Sequence, residues 1–302
     1  MNHLITGGTG LIGKSFIEML PKNSSQITVL TRNRNKAKNL LGSSINYINK
    51  LSLVDIENSD VILNLAGEAI ADKRWSDTQK DKICQSRWKI TQQLVDLIHQ
   101  AENPPSVFIS GSAIGVYGRQ SAQQEKQPID ESYDNFHQEF THHVCSTWEN
   151  IALSAVTNKT RVAVLRTGIV LAKNGGALGK MTTPFKLGLG GKIGDGQQMM
   201  SWIHIEDMIA GILHIQKNET LQGVINLTAP NPVSNDQFTH ALAAILNRPC
   251  FFSTPAWLLK ILLGEMSDIL LFGQNVVPTK LIDASFSFKY SKIEQAFENL
   301  FK

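Results

Sequence analysis

His3-Leu4-Ile5-Thr6-Gly7-Gly8-Thr9-Gly10-Leu11-Ile12-Gly13 decides the fold of this chain. A short apolar run leads into Gly7, Gly10 and Gly13, spaced GxxGxxG, and a helical pattern follows. The first glycine permits a tight turn and the second lets backbone approach a pyrophosphate. The third lets helix and strand pack closely, and the N–H groups at the helix start are left for an anion. The alternative reading of a glycine pattern is a tight structural turn. Strand before and helix after favour a dinucleotide site, held by Gly7, Thr9, Gly10, Leu11, Ile12 and Gly13.

The same alternation continues outward. Ile27–Leu30, Val61–Leu63, Val107–Ile109 and Arg161–Thr167 are short apolar runs, as parallel strands covered on both faces require. Ile83, Ile90, Leu94, Leu97 and Ile98 recur at helical spacing, and Pro104-Pro105 stops that helix. A second helix is expected over about 137–156. The pattern predicts an α/β protein with a Rossmann-type doubly wound parallel sheet. Residues 175–196 carry eight glycines and read as a long loop with a short helix. Beyond Pro230 and Pro232 the pattern turns helical, giving a small, mainly helical C-terminal cap. The expected division is 1–230 for the cofactor domain, with a substrate-loop insertion at about 175–200, and 231–302 for the cap. The stripe Trp257, Leu258, Ile261 and Leu262 is expected to be cap core, or else the lining of an apolar pocket.

The end of the second strand reads Thr31-Arg32-Asn33, where a site for NAD usually carries Asp or Glu to hold ribose hydroxyls. An arginine instead makes a planar fork toward a 2′-phosphate. NADP(H) is therefore the expected cofactor; the alternative is a solvated arginine. Leu65, Ala66 and Gly67 follow the next strand, and their small side chains let backbone lie against the cofactor. Ser110 and Gly168 close the expected set.

Hydrophobic residues make up 42% of the chain and charged residues 18%, so it can bury a core and is not disordered. The net charge is +3 and the densest basic stretch, Arg32 to Lys38, is local, which argues against a nucleic-acid groove. Cys84, Cys145 and Cys250 form no CxxC pair, as expected in a reducing compartment without disulfides or zinc. With neither a signal-like start nor an 18-residue apolar run, the expectation is a cytoplasmic protein away from membranes. Its partner is expected to be a small molecule, with a homodimer left open.

These segments also carry a resemblance. TGGTGLIG (6–13), NLAG (64–67), the serine pair Ser110 and Ser112, and Tyr117-Gly118 resemble an extended short-chain dehydrogenase/reductase. NLAGEAIADKRW (64–75), SRWKIT (86–91), LRTGIVLAKNGGALGKM (165–181) and SWIHIEDM (201–208) are similar to the YfcH-type epimerase family proteins. The resemblance spans essentially the whole chain. It implies a Rossmann domain, an NADP-type cofactor, a helical cap, and redox or epimerisation chemistry on a small polar molecule such as a nucleotide-activated sugar. It brings no established substrate.

One departure from that pattern matters most. Extended reductases carry Tyr-x-x-x-Lys on the helix after the fifth strand, the lysine lowering the tyrosine pKa for proton exchange. Aligned through Glu149, this chain has Thr141 for the tyrosine and Cys145 for the lysine. The remaining candidates for catalysis are Ser112 and Tyr117, Tyr117 being equally readable as a packing residue. Glu68 with Arg74 is a candidate polar pair or a structural salt bridge. His142-His143 point about 100° apart on a helix and do not chelate one ion together easily. Cys145 as a nucleophile would need His142 as its base. Gly190–Gly196 supplies hinges for a lid. The rival to an enzyme is a non-catalytic NADP(H)-binding or redox-sensing protein.

Overall fold

The computed structural model describes residues 1–21, 26–121, 123–173 and 175–302; Asn174, inside the motif 165–181, lies outside them. In chain order the first half runs β1 (His3–Thr6), α1 (Leu11–Met19), β2 (Ile27–Leu30), α2 (Arg34–Leu41), β3 (Asn46–Ile48), α3 (Leu53–Glu57), β4 (Val61–Asn64), α4 (Asp77–Gln100), β5 (Val107–Ala113), α5 (Phe140–Leu153) and β6 (Arg161–Thr167). The chain then leaves the sheet through β7 (Ile169–Leu171), α6 (Gly176–Lys186), β8 (Gly191–Ile193), β9 (Met199–Met200), β10 (Trp202–His204) and α7 (Ile205–Lys217), and returns in β11 (Gly223–Leu227). Among the described residues the central sheet has seven strands in the order β11-β6-β5-β4-β1-β2-β3, every neighbouring pair parallel.

Two-residue alternation explains why this sheet is covered on both sides. Ile5, Val29, Leu63, Ile109 and Leu165 turn to one face, against Phe16 of α1 and Met208, Ile209 and Ile212 of α7. Leu4, Ile62, Phe108, Val162 and Val164 turn to the other, against Leu94, Val95 and Ile98 of α4 and Ala152 of α5. Each such side chain contributes about 1.5–3 kcal/mol when fully buried. The order of strands reverses between β1 and β4, so a crevice opens at their carboxyl ends, where ligands bind in open α/β sheets.

The remaining elements are β12 (Val233–Ser234), α8 (Asn235–Leu246), β13 (Phe252–Thr254), α9 (Ala256–Leu263), α10 (Asp268–Leu271), α11 (Thr279–Asp283) and α12 (Ile293–Phe301). Their core joins Phe238 and Leu242 of α8 to Phe297 and Leu300 of α12, with Leu178, Phe185 and Trp202 from the preceding segment. The segment read as a loop with a short helix holds an 11-residue helix, α6, with Pro184 inside it. The glycines of 190–196 edge β8, which pairs with β13. The stripe on α9 is not core. Trp257, Ile261 and Leu262 are exposed, because this eight-residue helix is apolar all round but for Lys260, and no element covers more than Ala256, Leu258, Leu259 and Leu263, which are half-buried.

Candidate functional site

The turn after β1 is built by contacts that exclude side chains. Gly7 sits at φ +68°, and a Cβ there would stand 2.5 Å from the Leu65 carbonyl oxygen; a Cβ on Gly13 would stand 2.5 Å from the Gly7 oxygen. Gly10 caps α1 with no side-chain hydrogen bond, so no cap side chain takes up the N–H groups of that first turn. Behind it, polar side chains at the strand ends satisfy one another. Thr6 Oγ1 donates to Asn64 Oδ1 (2.6 Å), and Asn64 Nδ2 donates to Thr91 Oγ1 (2.8 Å) and Ser110 Oγ (3.2 Å). The register Thr6–Asn64–Ser110 across β1, β4 and β5 places these groups side by side.

The crevice forms a cleft of about 540 Å³. Its walls come from the glycine turn (Gly7, Thr9, Gly10), the end of β2 (Thr31, Arg32) and the end of β4 (Leu65, Ala66, Gly67), all expected from sequence. Asn49, Lys50 and Leu51 after β3, and Ser86, Ile90 and Gln93 on α4, also line it. Sequence reading missed both sets. Of the other expected residues, Leu11 packs against the start of α6 at Gly176. Ile12 packs against the sheet core, and Asn33 caps α2 by accepting from Lys36 N at 2.9 Å. Gly13 and Ser110 act in the packing just described, not on the cleft wall. Arg32 is exposed at the rim. Anion-ready backbone at one end and Arg32 with Lys50 at the other fit a dinucleotide carrying an extra phosphate.

A second cleft, of about 310 Å³, opens between the sheet and the later segments. The loop after β4 borders both, giving Gly67 and Glu68 to the first and Ile70 and Ala71 to the second. Thr141 and Cys145 stand together on its wall, one turn apart on α5, beside Ala113, Ile114 and Gly168. A Cβ on Gly168 would meet the Ser201 oxygen at 2.6 Å, so this glycine permits the close crossing of two backbones. Thr141 Oγ1 donates to Glu139 Oε1 (2.9 Å). Burial foremost, and the Glu149 carboxylate next, push the Cys145 thiol up to about 12. It is protonated near neutrality, which removes the basis for a nucleophile.

Ser112 and Tyr117 are placed elsewhere. Ser112 lies on the side of β5 that faces α5, and its hydroxyl donates to Glu149 Oε1 (2.7 Å). Arg166, its partner on β6, pairs with Glu149 through Nε (3.0 Å) and Nη2 (2.8 Å). Arg166 Nη1 donates to the Tyr117 hydroxyl (3.1 Å), which donates to Asn226 Oδ1 (2.8 Å) on β11. The Tyr117 ring is buried, lies 4.9 Å from the Arg166 guanidinium, and packs near Tyr133 and Phe136. Burial pushes the phenol up to about 12. Neither side chain lines either cleft. The network clamps α5 to the sheet and holds both Ser112 and Tyr117 within it.

Arg87 on α4 does reach the region between the clefts. Its Nη1 donates to the Ile83 carbonyl (2.9 Å), its guanidinium lies 5.4 Å from the Trp148 ring, and a Cβ on Gly67 would stand 2.9 Å from its Cζ. Glu68 and Arg74 form no ion pair with each other among the described residues; Arg74 lies against Gly264. His142 Nδ1 bonds the Val116 carbonyl oxygen, and the His143 ring meets Trp88 edge-on. No group of three or more His, Cys, Asp or Glu side chains among the described residues could hold a metal. No helix among them is long and apolar enough to cross a membrane.

Comparison with known proteins bears on this geometry. The model of the NAD dependent epimerase/dehydratase family matches residues 3–227, and a domain of unknown function, DUF1731, matches residues 254–300. Epimerase family protein SSP1921 of Staphylococcus saprophyticus is 35% identical over 99% of each chain. The crystal structure of human epimerase family protein SDR39U1 (isoform 2) with NADPH superposes with a TM-score of 0.87 at 29% identity, covering 99% of both chains. A nucleoside-diphosphate sugar epimerase from Corynebacterium glutamicum gives a TM-score of 0.79 at 27% identity, covering this whole chain and 58% of that one.

Proposed function

Because the chain belongs to the NAD dependent epimerase/dehydratase family, we propose that it is an NADP(H)-dependent oxidoreductase or epimerase of the atypical extended short-chain dehydrogenase/reductase kind. Residues 1–230 hold the cofactor and 231–302 cap a small-molecule substrate. The observation that carries this reading is Arg32, exposed at the rim of the first cleft where an acid would serve NAD. NADPH bound to the human relative supports it.

In this reading Thr9, Gly10 and the first turn of α1 hold the pyrophosphate. Arg32, helped by Lys50, pairs with the 2′-phosphate, and Leu65, Ala66 and Gly67 lie along the ribose. When bound, the cofactor supplies or accepts a hydride. The chain's part is to orient it past Gly67 toward the second cleft and to exclude water there. Ala113, Thr141 and Cys145 form the wall beside that position, so the usual phenol and amine are replaced by groups that neither ionise nor carry charge near pH 7. That wall is also the specific observation favouring a second reading, NADP(H) binding without turnover.

Calorimetry tests the cofactor assignment. NADPH is expected to bind at least tenfold more tightly than NADH, since hydrogen bonds to a charged group contribute about 1.5–3 kcal/mol. Arg32→Asp should reverse or abolish the preference. Equal affinities in the unmutated protein would overturn the assignment. NADPH oxidation across carbonyl compounds separates the two readings, because turnover belongs only to the enzyme.

A further inference from the structure

The second cleft differs in chemistry from what a nucleotide-linked sugar requires. Its walls are dominated by Ile114, Ile169, Met181, Met200, Ile269 and Phe272. The charged side chains among its described lining residues are Glu139 and Asp268, both acidic. Three cations at its border are engaged with carboxylates of the chain, while Arg87, between the two clefts, bonds the Ile83 carbonyl. Arg119 bridges Glu139 (3.5 Å) and Asp268 (3.4 Å) and lies 4.9 Å from the Phe272 ring. Lys180, beside Met181, pairs with Asp72, and Lys192, beside Ile193, pairs with Asp236 at 3.7 Å.

The polar groups on the walls are also largely spoken for. Gln198 Nε2 donates to the Ile193 and Leu270 carbonyls, Ser201 Oγ donates to the Gln274 carbonyl, and Asn235 Oδ1 accepts from Ile193 N. Thr141 donates into Glu139. A diphosphate entering this cleft would lose its water next to two carboxylates and one guanidinium already shared between them. Burying an anion without a paired cation is strongly unfavourable. An apolar body gains by leaving water for such walls, and methionines adapt to its outline.

We propose that this cleft takes a neutral compound with an apolar body and a carbonyl or hydroxyl head, and not a nucleoside diphosphate sugar. The head group lies toward Thr141 and Cys145 and the body toward Met181, Met200 and Phe272. The proposal rests on the reading that the cofactor fills the first cleft and reaches the second past Gly67.

Binding, not turnover, tests it. Protein saturated with NADP+ is titrated calorimetrically with 2-butanone, 2-hexanone and 2-octanone, and separately with UDP-glucuronic acid. Apolar walls should tighten binding by roughly fourfold for each added methylene until the cleft is full, and UDP-glucuronic acid should show no binding at millimolar concentration. Met181→Lys, at a half-buried position, should weaken 2-octanone at least tenfold and leave NADP+ affinity nearly unchanged. Micromolar binding of UDP-glucuronic acid, a series flat in chain length, or no alkanone binding at all overturns the proposal. NADP+ titrated alone reports the cofactor reading independently, so failure of one is distinguishable from failure of the other.

Discussion

Replacing Arg166 with methionine removes one half of a buried ion pair and leaves the other in place. Both side chains are about 6% exposed, and the guanidinium meets the Glu149 carboxylate through two hydrogen bonds of 3.0 and 2.8 Å. Truncating one member of such a pair costs about 3–5 kcal/mol, because the remaining charge is buried without its partner. The guanidinium also lies over Tyr117, a contact of about 0.5–2 kcal/mol. Domains are stable by only about 5–15 kcal/mol, so the change removes a large share. For a chain of this length an entropy of about 2.1 cal/mol/K per residue converts 3–5 kcal/mol into a Tm fall of about 5–8 °C. Urea and thermal unfolding of Arg166→Met, Glu149→Leu and the double variant measure this. The double variant should recover most of the loss, since two apolar side chains of similar volume tolerate the site. NADP(H) affinity should be little changed, as the pair lies between α5 and the sheet and not on the first cleft. A single-variant cost below about 1 kcal/mol, or additive losses in the cycle, would refute the description of this network as the clamp on α5.

Gly10→Val should abolish NADP(H) binding in a folded protein. Among the described residues the only near contact of a Cβ there is the Gly7 oxygen at 3.2 Å, so the fold tolerates it while the branches fill the pyrophosphate position; undiminished binding in calorimetry would show that this turn is not the site. Thr141→Ala and Cys145→Ala should leave NADP(H) affinity within about twofold and cost less than tenfold in any turnover found, against about 10²–10⁴ for a true general acid–base; a loss on that larger scale makes Thr141 a relay through Glu139. Acid should destabilise the protein through His204, which caps α7 by accepting from Glu206 N at 3.1 Å and whose pKa burial lowers to about 4. The unfolded chain binds this proton below about 6.5 and the folded chain only near 4, so stability is full above pH 6.5 and falls between 6.5 and 4, by about 1–3 kcal/mol. His204→Asn should flatten that part of the profile in urea melts at pH 7, 5.5 and 4.5.

The glycine turn, β2 with Arg32 and the residues after β4 were legible because their signals are local: each is a strand end followed by residues of restricted type. The third strand was not. Asn46–Ile48 has three residues, no apolar run and one buried neighbour at Ile45, so Asn49 and Lys50 went unread as parts of the cleft. Ser112 shows a subtler limit. Its place near the end of β5 was evident, but strand alternation sends it to the same side as Phe108, toward α5, and presents Ala113 to the cleft. Tyr117 was open between packing and chemistry in the sequence, because its surroundings are set by Arg166 and Asn226, which the sheet brings from β6 and β11. The α9 stripe misled because helical spacing reports that a face is apolar, not that another element covers it.

Three methionines, Met181, Met199 and Met200, border the second cleft. Thioethers are soft and conformable, which suits an apolar wall, yet a single oxygen atom added to each sulfur turns that wall polar and fixes a new stereocentre. Peroxide would thus alter what the cleft accepts while leaving the glycine turn and Arg32 untouched, since the first cleft has no methionine among its described lining residues. Selectivity for the substrate and retention of the cofactor are in that sense vulnerable to different chemistry, and oxidative stress would uncouple them in one molecule.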